Sequence, residues 1–408
     1  MTTFINGSVL LIRLDGRVDS GNAAETEKAI FNAVEQYAPL YAVIDGEKLE
    51  YISSVGLRVL LKLKKKIANT QLINVSAEVY EVLNMTGFTD IMDIKKALRQ
   101  VSVDGCRVIG RGAFGTTYKL DNDTIVKVFT DSVAYEDIIR EKESAKAAFI
   151  CGVPTAIPFD TVKVGNRYGN VYELINAHAF SEDICGNPSK IDDYARQATK
   201  LLKLLASTRD SKGAFRSFKQ TSLEKINHLN RYVKGWEVFT PEEMELLFKL
   251  FYAVPERDTL IHGDFHTHNI FEQDGELLLI DMADTGTGHP IFELGNMYLP
   301  FVIMAEYEDD RTNQLIGMDN KTAVLFCNKG FDLYFSGFTP EDTEAVRALV
   351  KIFAQIRMMI IAAGAALNTV SDELKREYLL GIKAVLTSNY FKKPQEVLDE
   401  IERLTALF

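Results

Sequence analysis

The chain has 408 residues, of which 47% are hydrophobic and 25% charged, and its formal net charge is −11. At roughly 150 residues per domain this length predicts two or three domains, each able to bury a core without staples. The first 103 residues carry equal numbers of acidic and basic side chains, so the negative charge belongs to the remainder. That balance argues against nucleic acid as a partner, since phosphate binding needs a basic surface. It is compatible with a cationic substrate, although a solvated acidic surface is the simpler reading.

The four cysteines, Cys106, Cys151, Cys185 and Cys327, lie more than thirty residues apart. Such spacing offers neither a zinc knuckle nor a compact disulfide framework, and it points to a reducing compartment. The apolar run Val9 to Ile12 is too short for a signal peptide and has no basic region before it. Met358 to Leu367 is the most apolar stretch, but a membrane-spanning helix needs about 20 residues. It reads as a buried core helix, and the expectation is a cytoplasmic protein with no membrane role.

In chain order, Ser8–Leu14 and Leu40–Ile44 are short apolar runs bounded by turn residues and read as strands. Between them Asn22–Tyr37 has helical spacing, with Ala29, Ile30, Ala33 and Val34 on the predicted inner face. Ser54–Ala68 repeats the pattern with Val55, Val59, Leu60, Leu63 and Ile67 inward. Its lysines, Lys62 and Lys64 to Lys66, gather toward the C-terminal end, where cations favour the helix dipole. Leu72–Val75 adds a buried strand and Ala77–Asn84 a short helix. Together these predict a small α/β layer domain over residues 1–103.

A different pattern begins near Asp104. Val108–Phe129 reads as a glycine-turned β-hairpin followed by a third strand, and Tyr135–Phe149 as a helix. Beyond Asp192 the pattern is mostly helical. Thr240-Pro241-Glu242-Glu243 and Thr339-Pro340-Glu341-Asp342 each announce a helix, with Thr as N-cap, Pro at the first helical position and acids in the first turn.

Three motifs in this second part carry phosphoryl chemistry. Gly110, Gly112 and Gly115 form a GxGxxG, a string shared with dinucleotide-binding folds. Those folds need a helix after the glycines, whereas Thr116–Leu120 is β-rich and Asp121-Asn122-Asp123 then turns the chain. Strand–glycines–strand is the arrangement of a loop folded over ATP phosphates. Next, Ile125-Val126-Lys127-Val128-Phe129 sets one lysine in an apolar strand, and a buried charge needs a partner. The following helix offers Glu141 and Glu143 on different faces. Glu141 is favoured, because Ala145 and Ala148 continue its face.

The third motif is His262-Gly263-Asp264-Phe265-His266-Thr267-His268-Asn269, followed by an apolar strand ending at Asp281. Phosphoryl transfer needs an Asp to orient or accept the nucleophile's hydroxyl, and oxygen ligands to hold Mg²⁺ against the phosphates. Asp264, Asn269 and Asp281 supply those groups. His262 reads as a loop-organising hydrogen bonder, and His266 and His268 as structural or substrate-facing. Zinc is a minor alternative for these histidines, since the spacing is unusual and phosphate-bound Mg²⁺ prefers oxygen.

These motifs resemble the aminoglycoside phosphotransferase and choline kinase group of the protein-kinase-like fold, over about residues 104–408. The resemblance implies an α+β bilobal domain with an N-lobe to about residue 176 and a largely helical C-lobe from about 177. It also implies ATP and Mg²⁺ as cofactors, and Glu173-Leu174 as the hinge reading adenine. The segment from Asp281 to Leu294 is similar to the group's metal Asp followed by Gly-x-Pro and an acid–Leu pair, with Glu293 where an Asp is usual. Gly263 replaces the Arg of the protein-kinase HRD, and no Ala-Pro-Glu follows Asp281, so a phosphorylated activation loop is not expected.

The first hundred residues resemble a STAS domain, the fold of bacterial anti-sigma factor antagonists, centred on Leu49 to Leu61. In that family a strand ends in an Asp-Ser-Ser/Thr-Gly turn whose first Ser is phosphorylated by a partner kinase. Aligned on Gly56, Ser54 takes the acceptor position and Ser53 replaces the Asp. Ser54 therefore stands as a candidate phosphoacceptor, and equally as the N-cap of the helix that follows. The whole sequence points to an ATP- and Mg-dependent phosphotransferase with a regulatory or partner-binding STAS module. Its acceptor is a hydroxylated small molecule or Ser54. The rival is a non-enzymatic regulator whose kinase-like part only senses nucleotide.

Overall fold

The computed structural model describes residues 1–233, 238–306, 311–362 and 371–408. The chain divides into two compact units, Met1–Val101 and Ser102–Phe408.

In the first unit the elements run β1 (Thr2–Asn6), β2 (Val9–Val18), α1 (Ala23–Tyr37), β3 (Tyr41–Ile52), α2 (Ser54–Lys66), β4 (Asn69–Val75), α3 (Ala77–Met85) and β5 (Asp93–Lys96). The sheet order is β1-β2-β3-β4-β5, parallel from β2 onward, with β1 antiparallel at one edge. Each parallel step is bridged by one helix, the connection parallel strands require. Leu10, Ile12 and Leu14 alternate along β2 into a core shared with Ile44, Leu60, Leu63 and Leu72. Sequence periodicity places two side chains on the wrong face. Val55 is 37% exposed, whereas Leu57 is 6% exposed and faces the core. Ala29 is likewise outward on α1. Each misplaced residue sits at the edge of a stripe whose other expected members, Ile30, Ala33 and Val34 on α1 and Val59, Leu60 and Leu63 on α2, are buried.

The cap of α2 also differs from expectation. Ser53 is the N-cap, its Oγ accepting the Gly56 N–H at 3.4 Å. Ser54 is the first helical residue and is exposed, so the N-cap reading of Ser54 does not hold.

The second unit opens with an antiparallel sheet made of β6 (Arg107–Gly112), β7 (Gly115–Lys119), β8 (Thr124–Phe129), β9 (Pro158–Val164) and β10 (Arg167–Glu173), ordered β6-β7-β8-β10-β9. Helix α4 (Tyr135–Ile150) lies between β8 and β9 in sequence. A short strand β11 (His178–Ala179) then leads to α5 (Phe180–Gly186), α6 (Ile191–Ser207), α7 (Phe218–Val233) and α8 (Pro241–Ala253). After β12 (Leu260–Ile261) come the hairpin β13 (Ile270–Gln273) and β14 (Glu276–Leu279), then β15 (Gly286–Thr287) and α9 (Pro290–Tyr298). The last helices are α10 (Arg311–Ile316), α11 (Asn320–Tyr334), α12 (Pro340–Ala362), α13 (Asp372–Leu386) and α14 (Pro394–Thr405). One continuous apolar core runs from Ala145 on α4 to Leu404 on α14.

Met358, Met359 and Ile360 are buried in α12, while residues 363–367 of that apolar stretch lie outside the described residues. Among the described residues no helix is long and apolar enough to cross a membrane.

At the start of α8, Thr240 Oγ1 accepts the Glu243 N–H at 3.2 Å, and Glu243 Oε2 accepts the Thr240 N–H at 2.8 Å. This reciprocal capping box satisfies two donors that the helix leaves free. Thr240→Ala is expected to cost about 1 kcal/mol in the urea transition of the helical unit, and Thr240→Ser to recover most of it. An unchanged midpoint in the alanine variant would show that water replaces the cap at no cost.

Candidate active site

Two strand pairings assemble the site. On β8, Lys127 points toward α4, where its Nζ lies 2.9 Å from Glu141 Oε1, and it also reaches Asp281 Oδ1 at 3.1 Å. Glu141 is buried and accepts a second bond from Tyr172 Oη at 3.1 Å. Glu143 faces outward and pairs with Lys142 at 3.2 Å. Burial pushes the Glu141 carboxyl up, against the opposing charge of Lys127. Burial disfavours the Lys127 ammonium too, but the two carboxylates outweigh it and raise its pKa. The hydrogen bond from Tyr172 favours the charged carboxylate beside Lys127.

The second pairing is the β13–β14 hairpin, in register Ile270↔Leu279, with the Ile280 N–H donating to the Asn269 carbonyl at 2.9 Å. Asn269 directly precedes one strand and Asp281 lies two positions after the other, so the ladder brings both to one end of the hairpin. Asn269 Nδ2 donates to the Asp264 backbone carbonyl and to Asp264 Oδ2, both at 3.0 Å. That leaves the Asn269 amide oxygen as the group free to ligate. Asp281 holds a left-handed backbone, φ 62°, uncommon for a residue with a side chain.

Between β12 and β13 the loop is fixed from behind. His262 is fully buried, its Nε2–H donates to the Ile280 carbonyl at 2.9 Å, and its Nδ1 accepts the Asp264 N–H at 3.3 Å. Burial lowers its pKa, so it stays neutral in this tautomer. Glu293 on α9 accepts the N–H groups of both His262 and Gly263. Burial pushes its carboxyl up to about 7 against those two donors. Gly263 has φ +86°, and a Cβ there would lie 2.6 Å from the Asp284 carbonyl, so no other residue fits.

Asp264 itself is half exposed and has His266 Nε2 3.3 Å from Oδ2. Burial works against its charge, but His266 and Arg357 overcome it and hold its pKa below the usual range. Of the other loop histidines, His268 is exposed and has its Nε2 beside Gly317. Thr267 Oγ1, between them, donates to the Ile316 carbonyl at 2.6 Å. Among the described residues the three loop histidines do not converge as metal ligands. The His/Asp/Glu group whose ligand atoms come together is instead His178, Asp183 and Glu272, an ion-pair cluster on β11, α5 and β13.

The three motif glycines differ. Gly115 lies against the Val128 carbonyl, where a Cβ would approach to 2.5 Å, so the β7–β8 pairing demands glycine. Gly112 has open space, and Gly110 only ordinary contacts. The fold does not require glycine at those two, which leaves close approach of a ligand as a reason for their size. At the end of β10, Glu173 Oε1 accepts the Ile157 N–H at 2.9 Å, and the Leu174 N–H donates to the Asp123 carbonyl at 2.7 Å. Leu174 therefore has its carbonyl, not its N–H, to offer a base.

Sequence reasoning missed three residues of this site. Arg357, 12% exposed on α12, donates from Nη2 to Asp284 Oδ2 at 2.7 Å and to the Gly263 carbonyl at 3.2 Å. Lys225 on α7 reaches Asp284 Oδ1 at 3.2 Å. Asp284 is held well below the usual carboxylate range by Arg357 and Lys225, which overcome its burial. Arg357, set between Ile356 and the apolar run Met358 to Ile361, was the available signal, of the kind that marks Lys127.

Residues 105–318 match the family model described as the phosphotransferase enzyme family, and residues 1–101 match the STAS domain model. A kinase-like fold with an N-terminal STAS domain is thus the class that fold and site define. The chain belongs to the phosphotransferase enzyme family, whose model covers more than half of it. A protein of Bordetella bronchiseptica described as an anti-sigma factor antagonist, BtrV, is 33% identical over 90 residues, covering 21% of this chain and 77% of that protein. Among solved structures, a choline/ethanolamine kinase family protein from Mesorhizobium loti is 14% identical. That match covers 74% of this chain and 92% of the other, with a TM-score of 0.48. The ADP-bound aminoglycoside phosphotransferase APH(2'')-Ib is 18% identical, over 76% of this chain and 98% of its own, with a TM-score of 0.47.

His289 supports the site from below α9. It is buried, its Nδ1 caps the helix by accepting the Ile291 N–H at 3.1 Å, and its Nε2–H donates to the Thr405 carbonyl at 3.0 Å. Burial lowers its pKa to about 4 from an ordinary 6.5. Between those values the unfolded chain binds the proton and the folded one does not. This contribution is therefore complete above pH 6.5 and is lost as pH falls toward 4. Denaturant titrations of wild type and His289→Asn at pH 7 and pH 4.5 should show the variant losing less stability on acidification, by about 2–3 kcal/mol. Equal acid loss in both would exclude His289 as the source.

Proposed function

We propose that the chain is an ATP- and Mg-dependent kinase that transfers the γ-phosphoryl group to a hydroxyl acceptor. In this reading residues 1–103 form a regulatory domain and residues 104–408 the catalytic domain, with its lobes meeting near residue 176. The observation that carries it is that Lys127 bonds both Glu141 and Asp281, while the β13–β14 ladder sets Asn269, itself bonded to Asp264, at the same end of the hairpin as Asp281.

Lys127, steadied by Glu141, binds the α- and β-phosphates, and Gly110 and Gly112 let the β6–β7 turn approach them. Glu173 and Leu174 border the base, with the Leu174 carbonyl facing its amine. Asn269 through its amide oxygen, and Asp281 through its carboxylate, form the oxygen set suited to Mg²⁺. Held by these two residues, Mg²⁺ would supply positive charge to offset the negative charge that builds on the transferred phosphoryl group. Asp264 stays ionised and accepts a hydrogen bond from the acceptor hydroxyl, orienting its lone pair at the γ-phosphorus. The new O–P bond forms as the bond to the β,γ-bridging oxygen breaks. ADP leaves, and the hydroxyl proton passes to Asp264 and then to solvent. His262 and Glu293 keep the loop in place.

The favoured acceptor is a small hydroxylated molecule. Ser54 is the second candidate, because it is exposed at the first position of α2 in a domain of the antagonist type. The test is label transfer from γ-labelled ATP with Mg²⁺ to the purified protein, alongside nucleotide binding. Asp264→Asn is expected to bind Mg·ATP normally and to lose turnover by about 10²–10⁴-fold. Label lost in both Asp264→Asn and Ser54→Ala would make Ser54 the acceptor. Absence of Mg-dependent nucleotide binding in the folded wild type would end the kinase reading. Binding with turnover indifferent to Asp264→Asn would favour a nucleotide sensor.

A further inference from the structure

The acidic charge of the second unit is compatible with a cationic acceptor, but the groups beside Asp264 are arranged for the opposite sign. Asp284 packs its backbone carbonyl and Cβ against Gly263, the residue before Asp264. Both of its oxygens are engaged: Oδ2 by Arg357 at 2.7 Å and Oδ1 by Lys225 at 3.2 Å. One negative charge thus faces two positive ones, and the carboxylate has no oxygen left unmatched for an ammonium group.

The two cations differ in access. The Arg357 side chain is 12% exposed and its second bond goes to the Gly263 carbonyl, so it works as an internal brace. The Lys225 side chain is 40% exposed, and its single partner among the described residues is Asp284. An ammonium has three donors, so two remain for a ligand. The neighbouring acids do not cancel this charge. Asp281 faces Lys127, Glu293 faces the His262 and Gly263 backbone, and Asp264 is the group that meets the acceptor hydroxyl.

We propose that Lys225, seated by the Asp284–Arg357 pair, forms a subsite for an anionic group on the hydroxyl-bearing acceptor, a carboxylate or a phosphate. The inference rests on the kinase reading above and narrows its substrate class. The acceptor places its hydroxyl at Asp264 and its anion at the Lys225 ammonium. Aminated acceptors are disfavoured, because an ammonium there meets a like charge. Arg357 is a positioning residue and Lys225 the specificity determinant.

The experiment uses the full chain saturated with Mg·ADP, and calorimetric titration with four probes: glycerol 3-phosphate, glycerate, glycerol and choline. Mg·ADP binding is measured first on every variant. Its failure in the wild type would sink the kinase reading and leave the subsite without a context. With nucleotide bound, saturable binding of one of the two anions is expected, with glycerol and choline at least tenfold weaker. Whether phosphate or carboxylate wins identifies the anion. Lys225→Ala should weaken the preferred anion about tenfold, the effect of one half-exposed charge pair, and Lys225→Arg should restore it. Choline binding as tightly as either anion would overturn the proposal. So would no anion binding at millimolar concentration, or anion binding indifferent to Lys225→Ala.

Discussion

The site depends on how the backbone from His262 to Asp264 satisfies its polar groups away from water. That segment has no ladder of its own, and buried N–H groups left unpaired are costly. Glu293 accepts two of them, His262 Nδ1 accepts the third, and Arg357 covers the Gly263 carbonyl. Asp264 is consequently held from behind by Glu293, His262 and Arg357. The same network explains the glycine: Asp284 is pulled against residue 263 by Arg357, and the contact leaves no room for a Cβ. Gly263, Asp284 and Arg357 are one constraint expressed at three places in the chain.

Much of this was legible in the sequence where a local rule was broken in an informative way. A lysine inside an apolar strand announced the Lys127–Glu141 pair, and the β-rich run after the glycines announced a strand–turn–strand hairpin in place of a strand–turn–helix. Asp264, Asn269 and Asp281 stood out because phosphoryl chemistry needs such groups in that order, and the structure sets Asn269 against Asp264. The paired helix starts at Thr240 and Thr339 were legible because capping is local, and the side-chain bonds at both are present.

What remained hidden depends on distance or rotation. Arg357 lies 94 positions from the carbonyl it covers, and no local rule links the two. Lys225 on an amphipathic helix looks like any solvated cation until Asp284 is placed beside it. The Val55 and Leu57 exchange, and the cap on Ser53 in place of Ser54, arise because helix phase is fixed by what the helix packs on. β3 was underestimated for a related reason: it continues through Asp45, Gly46, Glu47 and Lys48, polar residues that periodicity reads as a turn, because neighbouring strands supply its ladder. Exposure of Ser54 matters beyond the cap, since a phosphate at the first position of α2 would add up to two negative charges to an open surface.

The β13–β14 hairpin sets a rule for how this site can vary over time. The spacing of Asn269 and Asp281 is fixed by a cross-strand rung, Ile270 against Leu279, and not by the number of residues between them. The turn at Asp274 and Gly275 is the far end of the ladder. Residues could accumulate there without moving either oxygen donor. A single deletion within a strand would instead turn every side chain beyond it to the other face, Asn269 or Asp281 included. Length variation among descendants of this chain is therefore confined to one end of the hairpin, whereas the other end is frozen by geometry.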